Sequence, residues 1–357
     1  MLIYFILFIF PAILALSKYN SKSASNSGIW FNTFVAYSLV IGLRHEVGGD
    51  WSNDWNDFNY RLSLMTESSL INALKIGDPA YSLIMWIIYK LNLGVHTLDF
   101  ISSLIFTYGL IDFCKKQTRP WLVLTIAVPY LVIVIAMGYV RQSVAIGLAL
   151  ISISSLLQGR LLKFLIIISI SATFHKSALI MIPLALFTAA HSKLITIIVA
   201  FLFLITSYYL LLNESVELIY SNYILYQYDS EGAFIRIIMN ALPSLLFLIY
   251  RNKFELKENE LIFWTWMSLI GILFVVILKI SPASTIIDRL ALYWIPIQLF
   301  VFSRLPDALS SNYPQKKFLL VLGIVLYSFF VLVVWLFFAN TAFAWLPYKF
   351  YFLELIY

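Results

Sequence analysis

Residues 261–279, LIFWTWMSLIGILFVVILK, contain a single charged side chain, Lys279, in the last position. A helix of about 20 apolar residues is long enough to cross the roughly 30 Å hydrocarbon core of a bilayer. A lysine at the end of such a helix can extend its ammonium group into the interface. The stretch therefore predicts a transmembrane helix, and similar stretches recur along the chain.

The composition of the whole chain is that of a polytopic membrane protein. Of its 357 residues, 62% are hydrophobic and only 12% are charged, whereas soluble domains have about a quarter charged residues. Long apolar runs without alternating strands favour helices over an outer-membrane barrel. The single cysteine excludes an internal disulfide, and no carboxylate-rich metal motif is evident, so we expect neither a metal nor another cofactor. The net charge of +6 is weak evidence for nucleic acid, which we do not expect as a partner.

Hydropathy predicts about twelve transmembrane helices in one integral membrane domain, residues 1–357. An alternative for 161–174 and 177–190 is a re-entrant hairpin. The first span lacks a basic start and is interpreted as a retained helix. The predicted spans lie near residues 2–16, 29–43, 98–114, 121–137, 139–157, 161–174, 177–190, 194–212, 234–250, 261–279, 288–304 and 317–339.

The orientation follows from the excess of Lys and Arg in short cytoplasmic loops. It holds only if residues 79–94 do not cross the membrane, and their short apolar run, interrupted by Lys90 and Asn92, favours an interfacial amphipathic helix. Both termini then lie outside. The sequence predicts a large outer loop, 44–97, that contains this helix, and a second outer loop, 213–232.

The large outer loop opens with residues that suit a carbohydrate. Arg44 and the pair His45–Glu46 are followed by Val-Gly-Gly and then by Asp50 and Trp51, with Trp55 one helical turn later. Carboxylates can accept hydrogen bonds from sugar hydroxyls while indole rings cover the apolar sugar face. The alternative is an interfacial belt, because tryptophan is enriched at membrane boundaries.

Two further outer turns carry basic side chains. Arg141, beside Gln142, begins a span, where a cation opposes the helix dipole unless an anion binds there. His175 and Lys176 interrupt a long apolar stretch, and imidazole suits proton transfer near neutral pH. The alternatives are an arginine that anchors the helix at the interface and a structural histidine. Together these side chains indicate a site for a phosphate or diphosphate.

Arg289 and Arg236 extend this set of cations. Arg289 follows Asp288 at the outer start of another span, and Arg236 lies a few residues into the span near 234–250. We expect Arg289 to bind the same anion and Arg236 to be a weaker candidate. Cations at the ends of membrane helices persist when they are paired, hydrated or functional.

Three of these stretches resemble the EpsG family of polysaccharide polymerases, relatives of the Wzy-type O-antigen polymerases. They are Arg44 with Val47–Asp50, then Gly138–Gln142, and, most specifically, Phe174–Leu179 with the sequence FHKSAL. The resemblance covers residues 40–185 well and the remainder by hydropathy and Arg289. The pair His45–Glu46 departs from it, without an assigned role.

The resemblance implies a GT-C-type glycosyltransferase of the inner, cytoplasmic membrane. It implies repeat units carried on undecaprenyl diphosphate, joined at the periplasmic or outer face with inversion of the anomeric configuration. His175 would act as the base, Arg141 and Arg289 would bind the diphosphate, and Arg44 and Asp50 would order a sugar. A chain-length regulator is a candidate partner, beside the lipid-linked oligosaccharide and the bilayer.

Three other functions remain open at this point. An O-antigen ligase would use the same chemistry with a different acceptor. A flippase or transporter for the same lipid-linked sugar would show repeat symmetry or cations along an inward-facing cavity, and neither is evident. A membrane acyltransferase would place its His and Arg residues at the cytoplasmic face, which the predicted position of His175 opposes.

Overall fold

The computed structural model describes residues 1–17, 20–51, 56, 58–60, 69–75, 77–187, 194, 197–198, 201–202, 205–206, 230, 232–281, 284–310 and 313–354. Over these residues the chain is helical. The only extended pairing among them is an isolated antiparallel bridge between Arg44 and Phe350. The predicted Trp55 and nearly all of the loop 213–232 lie outside the described residues.

The α-helices, numbered in chain order, are α1 Leu2–Leu16, α2 Asn20–Ala24, α3 Ser27–Gly42, α4 Leu70–Leu74, α5 Pro79–Lys90, α6 Val95–Lys115, α7 Pro120–Ala127, α8 Val140–Leu157, α9 Leu161–Phe174, α10 Ala233–Tyr250, α11 Glu258–Ile280, α12 Ser284–Ala291, α13 Ile295–Ser310, α14 Pro314–Phe338 and α15 Tyr351–Glu354. A π-helix, Val128–Ala136, continues α7. The 3₁₀ helices are Lys176–Phe187, Arg251–Lys253, Leu292–Trp294 and Ala342–Trp345.

Helical segments lie at every predicted span except 194–212, most of which falls outside the described residues. By length and composition, six described helices can cross a membrane: Val95–Lys115, Val140–Leu157, Ala233–Lys253, Glu258–Ile280, Ser284–Ser310 and Pro314–Phe338. The all-helical, polytopic prediction is confirmed. Twelve crossings and a GT-C-like arrangement stay predictions. Helix α5 has 12 residues, about 18 Å at 1.5 Å per residue, which is too short to cross.

Where the sequence predicts one membrane domain, the described residues pack as two compact units. Unit 1 comprises Met1–Leu148, Thr173–His175 and Phe318–Tyr357, and unit 2 comprises Ala149–Ala172 and Lys176–Lys317.

Small residues bring the helices of unit 1 together. A Cβ on Gly109 of α6 would lie 2.1 Å from the carbonyl oxygen of Gly147 in α8, so the two backbones touch here. The hydroxyl of Ser103 in α6 donates a hydrogen bond of 2.9 Å to the carbonyl oxygen of Ser38 in α3. Close backbone approach at small residues is typical of helix packing in membranes, where apolar burial gives no preference for helix over lipid.

Two interruptions of regular helix have identifiable partners. In unit 1, the π-helix Val128–Ala136 frees backbone oxygens, and that of Ile133 accepts a hydrogen bond of 2.9 Å from the indole of Trp345. In unit 2, a 3₁₀ turn separates α12 from α13, and the carbonyl oxygen of Ala291 accepts a bond of 2.8 Å from the Asn240 amide. Interrupted membrane helices require such substitute partners and often lie at functional sites.

Candidate functional site

The loop after α3 contacts the C-terminal segment, residues 342–354, within unit 1. The backbone N–H of Gly48 donates to the carbonyl oxygen of Ala344 at 2.8 Å, and that of His45 donates to Lys349 at 3.1 Å. The N–H of Tyr351 donates a hydrogen bond of 2.8 Å to the carbonyl oxygen of Leu43, the residue that follows α3. The C-terminal segment therefore fixes the loop that carries Arg44 and Asp50.

Two glycines let this loop contact the turn that precedes α8. Gly48 has a φ of +114°, and a Cβ there would lie 2.0 Å from the carbonyl oxygen of Met137. A Cβ on Gly138 would lie 2.4 Å from the ring of Trp345. Only glycine fits both positions without a shift of the backbone or of a large buried ring. The two sequence motifs predicted on the same side, Gly48–Asp50 and Gly138–Gln142, are thus in direct contact.

Arg44 points into unit 1 and away from solvent. Its side chain is 1% exposed, and its guanidinium donates to the carbonyl oxygens of Ile41 at 2.7 Å and Val47 at 2.9 Å. An ion pair of 3.5 Å joins it to Asp99, which is also 1% exposed. Three buried groups thus surround the guanidinium, and a contact between Arg44 and a sugar stays a prediction. Arg44 shapes the loop, since it closes the turn from Ile41 to Val47.

The predicted sugar-binding residues lie beside a cluster of rings. Trp51 is buried against His45, His96 and the guanidinium of Arg44, with centroid distances of 5.6, 5.3 and 5.9 Å. Nδ1 of His45 and Nε2 of His96 share a hydrogen bond of 3.1 Å. Asp50, half-buried, precedes Trp51. His45, which has no role in the family resemblance, thus helps to hold Trp51.

Next to this cluster lies an exposed ion pair. Lys349 of the C-terminal segment donates a hydrogen bond to the carboxylate of Glu46. This hydrogen bond lowers the pKa of Glu46 and raises the pKa of Lys349. The pair therefore adds a side-chain contact to the backbone hydrogen bonds between the loop after α3 and the C-terminal segment.

Arg141 lies in the first turn of α8 and is held by residues of α5. Its Nη1 donates to Oδ2 of Asp78 at 3.1 Å, and its guanidinium lies 5.9 Å from the ring centroid of Tyr81. The Arg141 side chain is nevertheless 39% exposed, compared with 11% for Asp78. Gln142, by contrast, is buried. Of this pair, only the guanidinium is accessible to an anionic ligand.

The FHKSAL motif lies at the junction of α9 and the following 3₁₀ helix. His175 and Lys176 are half-buried. In unit 2, the Ser177 hydroxyl donates a hydrogen bond of 3.2 Å to the hydroxyl of Tyr293. Tyr293 follows Arg289, itself half-buried, by one helical turn. This contact brings the Lys176–Ser177 turn to the helical segment that carries Arg289.

Arg236 forms a bidentate ion pair with Asp288 in unit 2. Its Nε and Nη2 donate to the two carboxylate oxygens of Asp288 at 2.9 and 2.6 Å, and Nη2 also reaches the hydroxyl of Ser230 at 2.6 Å. Bidentate pairs of this kind fix orientation and neutralise the arginine charge. In the structure Arg236 holds Asp288, the residue of α12 that precedes Arg289, and a contact between Arg236 and substrate stays a prediction.

Sequence reasoning did not identify Asp78, Asp99, Tyr293 or the C-terminal segment around Trp345. The pair Asp78-Pro79 carried a signal, since Asp followed by Pro is a typical helix start. The other three carried none, because they act through contacts between distant parts of the chain.

Among the described residues, no three His, Cys, Asp or Glu side chains are grouped closely enough to hold a metal ion. The expectation of a reaction without metal stays a prediction.

Comparison with protein families finds a match to the EpsG family over residues 27–350. No curated protein and no solved structure matches the chain. The matched region contains every side chain discussed as a candidate for binding or catalysis.

Proposed function

Because the chain belongs to the EpsG family, we propose that it is a polysaccharide polymerase of the inner, cytoplasmic membrane. It transfers a glycan from undecaprenyl diphosphate to the next lipid-linked repeat unit at the periplasmic or outer face. The observation that carries the proposal is the family match over residues 27–350. Within unit 2, the hydrogen bond of 3.2 Å between Ser177 and Tyr293 supports a role for the Lys176–Ser177 turn beside the helical segment of Arg289.

The reaction is a displacement at the anomeric carbon of the donor glycan. A hydroxyl oxygen of the acceptor sugar forms a bond to this carbon while the bond to the diphosphate oxygen breaks, so the anomeric configuration inverts. The diphosphate departs with the bonding electron pair. His175 accepts the hydroxyl proton, a general-base step that contributes about 10²- to 10⁴-fold to a rate.

Arginines stabilise the leaving group. Charge accumulates on the diphosphate in the transition state, and a guanidinium presents several N–H donors in a planar array that matches phosphate oxygens. Arg141 and Arg289 bind the diphosphate, and Lys176 adds a third positive charge. Removal of one such preorganised donor typically costs about 10²- to 10³-fold in rate.

The remaining candidate residues divide into sugar contacts and supports. Asp50, Trp51 and Trp55 contact a sugar of the donor or acceptor. Arg44 orders their loop from inside, and Gln142 supports the first turn of α8. Arg236, through its bidentate pair with Asp288, positions the helix of Arg289.

The first experiment is complementation in cells that lack the chromosomal copy. H175A, R141A and R289A should reach the membrane in normal amount yet leave single repeat units in place of a glycan ladder on a gel. Arg251→Ala is the matched control, because Arg251 is exposed in the turn after α10 and should leave the ladder unchanged. A normal ladder with all three variants would refute the proposed site.

The second experiment uses purified protein and a lipid-linked repeat unit in detergent. Polymer should form without a membrane, which a flippase cannot achieve, and without a separate glycan acceptor, which a ligase requires. A chelator should leave the rate unchanged. A strict requirement for a divalent cation would contradict the role assigned to the arginines.

A further inference from the structure

The contact between Asp78 and Arg141 has a feature that the proposed function does not use. Asp78 occupies the N-cap position of α5, where a carboxylate normally accepts hydrogen bonds from the first backbone N–H groups of its own helix. Among the described residues of α5, however, none donates such a bond to the Asp78 side chain. The carboxylate is turned toward Arg141, at 3.1 Å.

We propose that Asp78 is an exchangeable counter-ion for Arg141, which the substrate diphosphate displaces; this inference rests on the proposed role of Arg141. In the ligand-free state, Asp78 neutralises a cation that lies in the first turn of α8, where the helix dipole disfavours it. When the diphosphate binds, it takes over the guanidinium and the carboxylate turns away.

The displaced carboxylate has a favourable alternative position. The first N–H groups of a helix have no partner within the helix, and an aspartate at the N-cap satisfies one of them. Asp78 can therefore cap α5 through the N–H of Ala80 or Tyr81, while the N-terminal end of the helix dipole stabilises its charge. In the exchange, the diphosphate replaces the Asp78 carboxylate as the anionic partner of Arg141. The carboxylate gains a backbone N–H as its new partner.

The exposure of the two side chains fits this exchange. Arg141 is 39% exposed and Asp78 only 11%, so a ligand approaches the guanidinium without first removing the carboxylate. Tyr81 lies 5.9 Å from the guanidinium and holds it through a cation–π contact that does not depend on Asp78. Arg141 thus keeps its place during the exchange.

The consequence is that only an anion with a high affinity for Arg141 binds there. Any anion that binds Arg141 must compete with the Asp78 carboxylate, which is already in place. The apparent affinity of the anion is therefore its intrinsic affinity multiplied by the fraction of protein in which Arg141 is available. A diphosphate carries enough negative charge to compete, whereas carboxylates and chloride gain too little. Asp78 is therefore a specificity-determining residue, and its removal should strengthen binding.

The test measures binding of undecaprenyl diphosphate to the full-length protein in detergent, by titration calorimetry. Asp78→Asn retains the shape and the capping ability of the side chain and removes its charge. It should tighten binding by about two- to fivefold, the range expected for one partly exposed ion pair. Asp78→Ser, which also caps helices well, should give the same direction and replaces the first variant if that one fails to fold.

Two further variants separate the outcomes. Asp112→Asn is the matched control, because Asp112 forms an ion pair with Lys116 at the end of α6, and it should leave the affinity unchanged. Arg141→Ala should lose binding, and Asp78→Asn should bring no gain in that background. Loss with Arg141→Ala but weaker or equal binding with Asp78→Asn would overturn the exchange and leave the proposed function intact. Unchanged binding with Arg141→Ala would refute the role of Arg141 itself.

Discussion

The buried pair of Arg44 and Asp99 gives the sharpest prediction about stability. Asp99→Asn removes the negative charge without a change of shape and leaves a buried guanidinium without compensation. At 3.5 Å, two unit charges attract by about 5 kcal/mol at an effective dielectric constant of 20. Loss of one partner of a buried pair typically costs about 3–5 kcal/mol. Because no described residue donates a hydrogen bond to either Asp99 oxygen, we expect the lower end, about 3 kcal/mol.

The assay is reversible unfolding in mixed micelles, with the free energy of unfolding measured for each variant. Arg44→Met with Asp99→Leu should recover most of the loss, because apolar replacement of a whole buried pair is often neutral or stabilising. Asp112→Asn, in an exposed pair, should change stability by less than about 1 kcal/mol. A loss below about 1 kcal/mol for Asp99→Asn, or a double variant as unstable as the single one, would refute a structural role for this pair.

Three further perturbations follow from the same geometry. Gly48→Ala should reduce the amount of folded protein, measured by size-exclusion chromatography, because its Cβ would lie 2.0 Å from a backbone carbonyl oxygen; wild-type behaviour would contradict the tight contact. Tyr293→Phe removes the partner of Ser177 and should lower the polymerisation rate about tenfold with little change in stability; an unchanged rate would count against this link. The pKa of Glu46 is lowered by its hydrogen bond with Lys349, so its contribution is complete at neutral pH and is lost as pH falls below about 4. In Glu46→Gln, the free energy of unfolding should therefore fall less steeply than in the wild type as pH decreases below about 4. The same pH dependence in both proteins would refute a stabilising role for the Glu46–Lys349 pair.

The sequence predicts the helices well because hydropathy is a local property. An apolar run such as 261–279 forms a membrane helix whatever its neighbours, and α11 covers it. The shared location of Gly48 and Gly138 was also predictable, since counting crossings places both turns on one side. The packing of Trp345 against Gly49 and Gly138 was not, because nothing in a sequence pattern indicates which distant ring packs on a glycine.

The roles of the arginines were harder to predict, for a physical reason. A cation at the end of a membrane helix must be neutralised, but the sequence does not show whether the partner is a ligand or an internal carboxylate. Arg44 and Arg236 have buried or bidentate carboxylate partners, whereas Arg141 remains partly exposed beside its own. Only the packing of Asp99, Asp288 and Asp78 separates these cases.

The most direct test is an experimental structure of the protein with undecaprenyl diphosphate bound. We predict that diphosphate oxygens lie within hydrogen-bond distance of the guanidinium groups of both Arg141 and Arg289, with His175 beside the departing oxygen. A headgroup bound elsewhere, with Arg141 still paired to Asp78 and Arg289 distant from the phosphates, would contradict the proposed site.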